Sequence, residues 1–314
     1  MGAALPRQIV AGGTQRRRAR RGRRKQILIG LCYLAPALVM LGGVLLYPIG
    51  YNIWLSLHSY NLSELYLGEH FVWLHNYLDE LRDPYFWSAL RNSAIITGSC
   101  LALELPIGMG LALLLHRRLR GHSVFRFLFF LPLLLVPAVT AYMWRFLFQY
   151  TGVFNYLLQQ LHLGRVNWST TQAGIISVII VTVWENVPFA LIVFLAGLQS
   201  IDPELEAAAH VDGADGLQRF RHIVLPLMRP FVLIVVAIRT MDLLRLFDEG
   251  YILTGGGPGR TTETLSQLVY TETFTFFDVG HGAAISILEA LIVVLATAFV
   301  FVTLRTRRGG WRSP

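Results

Sequence analysis

Long apolar stretches separated by polar segments run along the chain after residue 26. A helix needs about 20 mostly apolar residues to cross a bilayer. Six stretches meet that requirement: 27–47, 93–115, 127–147, 173–198, 231–253 and 283–304. No small-x-small cleavage site follows the first stretch, so we interpret it as a retained helix and not as a secretory signal. The pattern therefore predicts an all-α membrane protein with six transmembrane helices.

The polar segments divide the chain into four parts. We expect a basic cytoplasmic tail over 1–26, a first transmembrane helix with an external loop over 27–90, a core of five transmembrane helices over 91–305, and a second cytoplasmic tail over 306–314. Within the core, segment 199–230 is the longest connection on the cytoplasmic side. It is long enough to hold structure of its own.

Composition and charge agree with a membrane protein and argue against other classes. Of 314 residues, 54% are hydrophobic and only 15% are charged. The net charge is +8, but nine basic residues lie within the first 25 positions, and the rest of the chain holds 18 basic and 19 acidic residues. The basic character belongs to the tail, so no nucleic-acid-binding surface is indicated.

Basic residues in short loops predict the orientation, because they are retained on the cytoplasmic side of the membrane. With the N-terminus in the cytoplasm, 20 basic residues fall on the cytoplasmic side and 5 on the opposite side. An even number of spans then places both termini in the cytoplasm.

The chain lacks the residues that a nucleotide or metal site needs. Lys25 is the only lysine and Arg24 precedes it, so no Gly-rich loop ending in Lys can bind ATP. Cys32 and Cys100 lie in apolar stretches, and the nine histidines have no ligand spacing. We expect no cofactor, no metal and no enzyme activity on this chain, so ATP-driven work would need a partner.

Segment 199–230 carries the signals of two short helices. Asp202 suits an N-cap, Pro203 suits the first helical position, and Gly213 suits the C-terminal stop. A second helix follows, and we expect Pro226 to end it. A compact helix held out of the membrane between two spans is well shaped to dock into a groove on a partner.

This segment resembles the EAA coupling loop of permease subunits in binding-protein-dependent ABC importers, in the sugar branch of maltose and glycerol-phosphate type. The residues assigned to ATPase coupling by this resemblance are Glu206, Ala207, Ala208, Asp212, Gly213, Ala214, Phe220, Leu225 and Pro226. Further matching residues include Arg91-Asn92-Ser93, Leu131-Pro132, Trp184 with Pro188-Phe189, and Phe247-Asp248. The resemblance covers about residues 27–305.

The resemblance implies a type I ABC importer permease fold with a cytoplasmic coupling helix, in a bacterial or archaeal inner membrane. The chain would form half of the pathway for a sugar, beside a second permease that in this branch is usually a different chain. Two cytoplasmic ATPase subunits would bind the ATP, and an extracytoplasmic substrate-binding protein would dock outside. The loop would pass ATPase movement to the helices as a rigid body.

One position departs from the family pattern. In the family a Glu lies five positions before the Asp-Gly pair, and Ala207 occupies that position here, whereas Glu206 lies six before Asp212. A shift of one position turns a helical side chain by about 100°. The departure puts the contact of Glu206 with the ATPase in doubt.

A glycine-rich run superficially resembles a phosphate-binding loop. No Lys follows it, and the predicted topology places it outside the cell. Glycine permits tight turns and positive φ, which fits an external docking loop. That loop comprises Gly255, Gly256, Gly257, Pro258 and Gly259.

Glu104, Glu185 and Glu289 interrupt otherwise apolar spans, where an ionisable group is costly and often functional. Trp184 and Asn186 flank Glu185, and a ring beside a carboxylate suits the C–H face and hydroxyls of a sugar. The candidate pathway residues are Trp184, Glu185, Asn186, Asp242 and Asp248. An alternative function is a proton-coupled secondary transporter with Glu104, Glu185 and Glu289 as a relay, although such a protein has no evident need for the loop.

The charges near the end of the fifth span allow two interpretations. Arg239, Asp242 and Arg245 follow each other at three-residue spacing, so they can neutralise each other on one helix face. Otherwise they form a cationic site that would favour an acidic substrate. Asp248 and Glu249, one turn further, argue against an anionic cargo.

Overall fold

The structure is a computed structural model that describes residues 30, 33–116, 122–168 and 170–305. Both predicted tails, 1–26 and 306–314, lie outside these residues. The chain separates after Trp54 into two units, of which the first holds most of one long helix and the second holds all other elements. The described chain is helical over most of its length.

The helices, in chain order, are α1 (Tyr33–Ser56), α2 (His75–Arg82), α3 (Pro84–His116), α4 (His122–Phe130), α5 (Pro137–Leu147), α6 (Val153–Gln160), α7 (Thr171–Gln199), α8 (Pro203–Val211), α9 (Gly216–Leu244), α10 (Asp248–Thr254), α11 (Leu265–Tyr270) and α12 (Val279–Arg305). Short 3-10 helices cover Leu62–Leu67, Pro132–Leu134 and Pro258–Arg260. A π turn, Thr271–Thr275, extends α11.

Five of the six predicted spans are matched by helices of the described residues, most of them in the predicted position, and the third makes six if its two bent halves form one span. Within the described residues, α1, α3, α7, α9 and α12 are each long and apolar enough to cross a membrane. The third predicted span is bent by 104° between Phe127–Leu134 and Pro137–Leu147. Val136 precedes Pro137 with an extended backbone, ψ 130°, because the proline ring disfavours a helical residue before it.

The fifth span lies earlier in the chain than predicted. The helix α9 ends at Leu244, where Arg245 leaves helical geometry at φ −103° and ψ 17°. Asp248 and Glu249 then form the acidic first turn of a separate helix, α10. The apolar pattern over 231–253 therefore spans two helices, and hydropathy alone does not reveal the break between them.

Two prolines, Pro226 and Pro48, lie inside long helices, each just after a π turn. The prediction that Pro226 ends a short helix is wrong, since α9 continues through it. A π turn, Phe220–Val224, comes immediately before, and Leu225 donates its N–H to Phe220 O across the wider turn. The same arrangement, with π turn Gly42–Leu46, carries α1 past Pro48. The wider turn accommodates a residue that has no N–H to donate.

Three helices of the second unit, α3, α7 and α9, share a hydrophobic core. Ala112, Leu191, Phe194 and Met228 are buried completely in it. Small residues allow the helices to approach closely: a Cβ on Gly108 of α3 would lie 2.7 Å from Ala190 Cβ of α7. Side-chain packing of this kind is the main attraction between helices in a bilayer.

The connection between α1 and α3 is ordered by hydrogen bonds and a short two-stranded sheet that the sequence did not predict. The strands β1 (His58–Ser59) and β2 (His70–Phe71) pair antiparallel. Asn76 Nδ2 donates to the carbonyls of Ser56 and His58, both at 3.0 Å. A separate bond, from Leu62 N–H to Phe277 O, joins the connection to the residues just before α12.

Candidate functional site

The segment after α7 forms the compact helix that its sequence predicts. Asp202 is the N-cap of α8 and accepts a hydrogen bond from the backbone N–H of Glu204 at 2.9 Å, and Pro203 holds the first helical position. At the other end Ala214 N–H bonds to Ala209 O, and Gly213 N–H bonds to His210 O. This pair of bonds is a Schellman motif, and Gly213 supplies its left-handed residue at φ +77°.

The next helix begins only two residues later. Asp215 and Gln218 form a capping box at the start of α9, with each side chain bonded to the other residue's backbone N–H. From there the helix runs without a break to Leu244 and includes Phe220, Leu225 and Pro226. The turn between α8 and α9 is therefore fixed at both of its ends by capping bonds.

The helix α8 and the first turn of α9 expose apolar side chains. Leu205, Val211 and Leu217 are 48%, 88% and 74% exposed. Ala207 and Ala208 are exposed too. The side chain of Glu206 lies outside the described part of the structure, so its role remains a prediction. An exposed apolar surface of this kind is typical of a protein interface.

The candidate pathway residues on α7 diverge in their contacts. The Trp184 ring packs edge-on against Trp144 at a centroid distance of 5.4 Å, within an aromatic cluster that includes Phe148 and Trp168. Asn186 Nδ2 donates to the carbonyl of Thr182 in the preceding turn. Both side chains are half-buried and already have neighbours.

Glu185 differs from the residues beside it. It is only 4% exposed, and its Oε2 has no hydrogen-bond partner among the described residues. Thr182 Oγ1, one turn before it, is likewise buried without a partner in that part of the chain. Asp248 and Glu249 are electrostatic neighbours of Glu185. Buried polar atoms normally bond to something, so this position is suited to a polar ligand or to water.

The charges near the end of α9 are neutralised from another helix. Arg239 donates from Nε and Nη2 to the two carboxylate oxygens of Glu104 on α3, at 2.8 and 2.9 Å. Asp242 is a weaker partner, at 3.6 Å from Arg239 Nη1 and with a side chain 58% exposed. Arg245 is exposed beyond the helix end. The interpretation that Arg239, Asp242 and Arg245 neutralise each other is thus only partly right, because the main partner of Arg239 is Glu104 on another helix.

The predicted docking loop is built from residues with positive φ. Gly255, Gly256, Gly257 and Gly259 have φ of +59°, +87°, +71° and +61°. A Cβ on Gly257 would also lie 2.5 Å from Thr262 Oγ1. Glycine is favoured at such positions because it has no Cβ, and at Gly257 there is no room for one.

Arg260 organises the far end of this loop, and the sequence analysis did not identify it. Its guanidinium bonds to Glu263 at 2.7 Å and to Glu272 at 3.1 Å, and it lies 4.6 Å above the ring of Tyr85. Burial would lower the pKa of Arg260, but these hydrogen bonds raise it above its ordinary value. Burial raises the pKa of Glu272, and Arg260 offsets part of that rise.

A cavity of about 420 Å³ opens beside the loop. Aromatic rings and polar side chains line it, among them Tyr150, Trp168, Arg145, Gln149 and Gly255. Within the described residues, no group of three His, Cys, Asp or Glu side chains could hold a metal ion.

Comparison with known proteins gives consistent matches over nearly the whole chain. The family described as binding-protein-dependent transport system inner membrane component matches residues 104–308. A probable ABC transporter permease of Sinorhizobium fredii is 38% identical over 94% of this chain and 93% of its own length. The trehalose/maltose transport system permease protein MalF of Thermococcus litoralis is 34% identical over 90% of this chain and 96% of its own.

The fold has a counterpart among solved structures. A crystal structure of a bacterial ABC transporter involved in the import of the acidic polysaccharide alginate matches with a TM-score of 0.77, over 92% of this chain and 99% of that chain. At 21% sequence identity this likeness shows the type I importer permease fold alone. The family match and the two relatives go further: the chain belongs to the family of inner-membrane components of binding-protein-dependent transport systems.

Proposed function

We propose that this chain is the permease subunit of an ATP-driven importer for a sugar or sugar derivative, and that it forms half of the translocation pathway. It binds no cofactor and catalyses no reaction itself, and ATP is bound by a separate subunit that docks on segment 199–230. The observation that most supports this proposal is the Schellman-capped helix α8, with the exposed apolar side chains of Val211 at its end and Leu217 at the start of α9. A surface of this kind needs a partner.

The distribution of basic residues supports an orientation with this segment in the cytoplasm, where ATP is available. In that orientation the loop 255–264 and the connection 57–83 face outward. Both are rigid through their own hydrogen bonds, which suits a surface that receives a substrate-binding protein. A second permease, which we expect to be a different chain, completes the pathway.

The sugar class is supported by relatives and by side-chain chemistry. The Thermococcus relative is named as a trehalose/maltose permease. Glu185 and Thr182 offer polar atoms that have no partner in the described part of the chain, within a bundle that also presents tryptophan rings. Sugars need hydroxyl partners and stack their C–H faces on aromatic rings, so Trp184 and Glu185 are the first pathway candidates.

A proton-coupled secondary transporter is the less favourable alternative. Glu104 is bonded through both oxygens to Arg239, and Glu289 accepts a hydrogen bond from Ser266 Oγ at 2.5 Å. These carboxyl groups already have specific partners, which leaves Glu185 without a relay. Such a protein would also have no use for a capped docking helix.

The test is to extract the protein from native membranes in mild detergent and to identify by mass spectrometry what co-purifies. We expect an ATPase subunit, a second permease and a binding protein, and the ligand of that binding protein then names the cargo. Liposomes that contain this complex should take up the cargo only when ATP is present on the side of the membrane to which segment 199–230 is exposed. Uptake driven by a proton gradient without any ATPase would overturn the proposal.

A further inference from the structure

Helices α3 and α9 are joined by a buried ion pair that the proposed function does not use. Arg239 and Glu104 are 4% and 0% exposed, and two parallel N–H···O bonds of 2.8 and 2.9 Å connect them. A two-bond arginine–carboxylate pair fixes both direction and distance. A buried charge without its partner is costly. Separation of α3 from α9 at this point would leave both charges unpaired, so the pair strongly opposes it.

Arg239 lies near the end of α9, whose beginning belongs to segment 199–230, which we call the docking segment. The helix α9 starts at the capping box of Asp215, adjacent to the Schellman turn of Gly213, and continues as one helix to Leu244. At 1.5 Å per residue, Arg239 lies about 36 Å along the axis from Asp215. Because α9 is continuous from Gly216 to Leu244, a displacement of its first turn is passed along the helix to Arg239.

Glu104 lies on α3, and hydrogen bonds from α3 also hold loop 255–264, which the proposed orientation places on the outer side of the membrane. Asn92 Nδ2 of α3 donates to the carbonyls of Thr261 and Glu263, both at 2.9 Å. Ser93 Oγ accepts the backbone N–H of Leu265 at 3.0 Å. Asn92 and Ser93 are almost completely buried. These bonds join the end of loop 255–264 to α3.

Resting on the proposed function, we propose that the Arg239–Glu104 pair is a connection through which movement of the docking segment reaches loop 255–264, in addition to the covalent path from α9 through α10. Both are positioning residues: they touch neither ATP nor cargo, and they keep α9 and α3 moving together. Asp242 does not share this role, since its 3.6 Å contact with Arg239 stays within α9 and its side chain is half exposed. It provides the matched control.

The experiment uses the full complex with its ATPase and permease partners in liposomes. Spin labels at Pro258→Cys and Gln160→Cys, both exposed positions, report the distance between loop 255–264 and α6. ATP hydrolysis is measured on the same samples. Trapping with ATP and vanadate, which holds ADP and vanadate on the ATPase, should change the label distance in the unsubstituted complex. Glu104→Gln should reduce that change at least about fivefold, and ATP hydrolysis without vanadate should continue.

Rescue distinguishes a connection from a general loss of structure. Combining Glu104→Arg with Arg239→Glu should restore most of the distance change that each single reversal abolishes, and Arg239→Lys should give an intermediate change because it keeps the charge and loses the fork. Asp242→Asn should keep the full label-distance change, because both bonds between Arg239 and Glu104 remain in place.

The proposal is overturned if Glu104→Gln shows the full distance change, if the double reversal is no better than the single reversals, or if the loop does not move with ATP at all. An unsubstituted complex that neither assembles with an ATPase nor hydrolyses ATP would instead contradict the proposed function.

Discussion

Single residues determine how closely the core helices of this permease approach each other. Gly108 of α3 faces Ala190 of α7, and Gly197 of α7 faces Phe231 of α9. In both places an added Cβ would come within 2.7 Å of a neighbouring carbon atom. At these two positions glycine is needed because the neighbouring helix leaves no room for a Cβ. The glycines of loop 255–264 differ, because they adopt positive φ.

Gly108→Ala should lower stability by about 1–3 kcal/mol, since an added methyl group overpacks the contact with Ala190. Gly110→Ala is the control, because it lies on the same helix with nothing within 4 Å of its added Cβ. Thermal denaturation in detergent, followed by size-exclusion chromatography, measures both. Equal midpoints for the two variants would contradict the close approach.

Glu185→Gln should change the KM or the maximal rate of cargo uptake, because it removes the charge from a buried carboxyl that has no partner among the described residues. Glu289→Gln makes the same chemical change where Ser266 already bonds the carboxyl. Uptake kinetics in liposomes compare the two. If Glu185→Gln behaves like the unsubstituted protein, the carboxyl only packs the bundle.

At the scale of elements, the features predicted best are those that depend on local sequence. The spans follow from about 20 apolar residues, and the caps of α8 follow from Asp202, Pro203 and Gly213. Local rules fail at Pro226, where a π turn carries the helix onward, and at residues 245–247, where α9 breaks inside an apolar run.

The partners of the charged residues could not be predicted from spacing. Arg239 lies 135 positions from Glu104, and its near neighbour Asp242 is the more obvious partner along the sequence. The requirement that a buried charge be paired identifies both residues as unusual, but only the packing of α3 against α9 pairs them. The same holds for Arg260, whose two acids follow it by 3 and 12 positions.

Gly213→Ala should weaken coupling between ATP hydrolysis and uptake, because a residue with a Cβ costs about 1–2 kcal/mol at φ +77°. Gly216→Ala is the matched control, since both positions have open space and only Gly213 has a positive φ. The ratio of cargo transported to ATP hydrolysed measures the effect. An unchanged ratio for Gly213→Ala would argue against α8 as the coupling helix, and Gly213→Asp should abolish uptake while membrane insertion is kept.

At the scale of the whole molecule, the expected orientation makes opposite ends of the described chain accessible from opposite sides. Glu204 on α8 and Gln160 on α6 are both exposed. A cysteine at Gln160 should react with a membrane-impermeant maleimide in intact cells, and a cysteine at Glu204 only after permeabilisation. Cys100 is completely buried and should remain unlabelled. The reverse pattern would invert the topology.

The unbroken helix α9 also constrains which insertions and deletions this chain can tolerate during evolution. Adding one residue between Gly216 and Arg239 would rotate the arginine by about 100° and move it about 1.5 Å along the axis, away from Glu104. A further residue within the turn 212–215 would leave that register untouched. Length variation among homologous permeases should therefore concentrate before the capping box, and a chimaera that exchanges docking segments should be joined there.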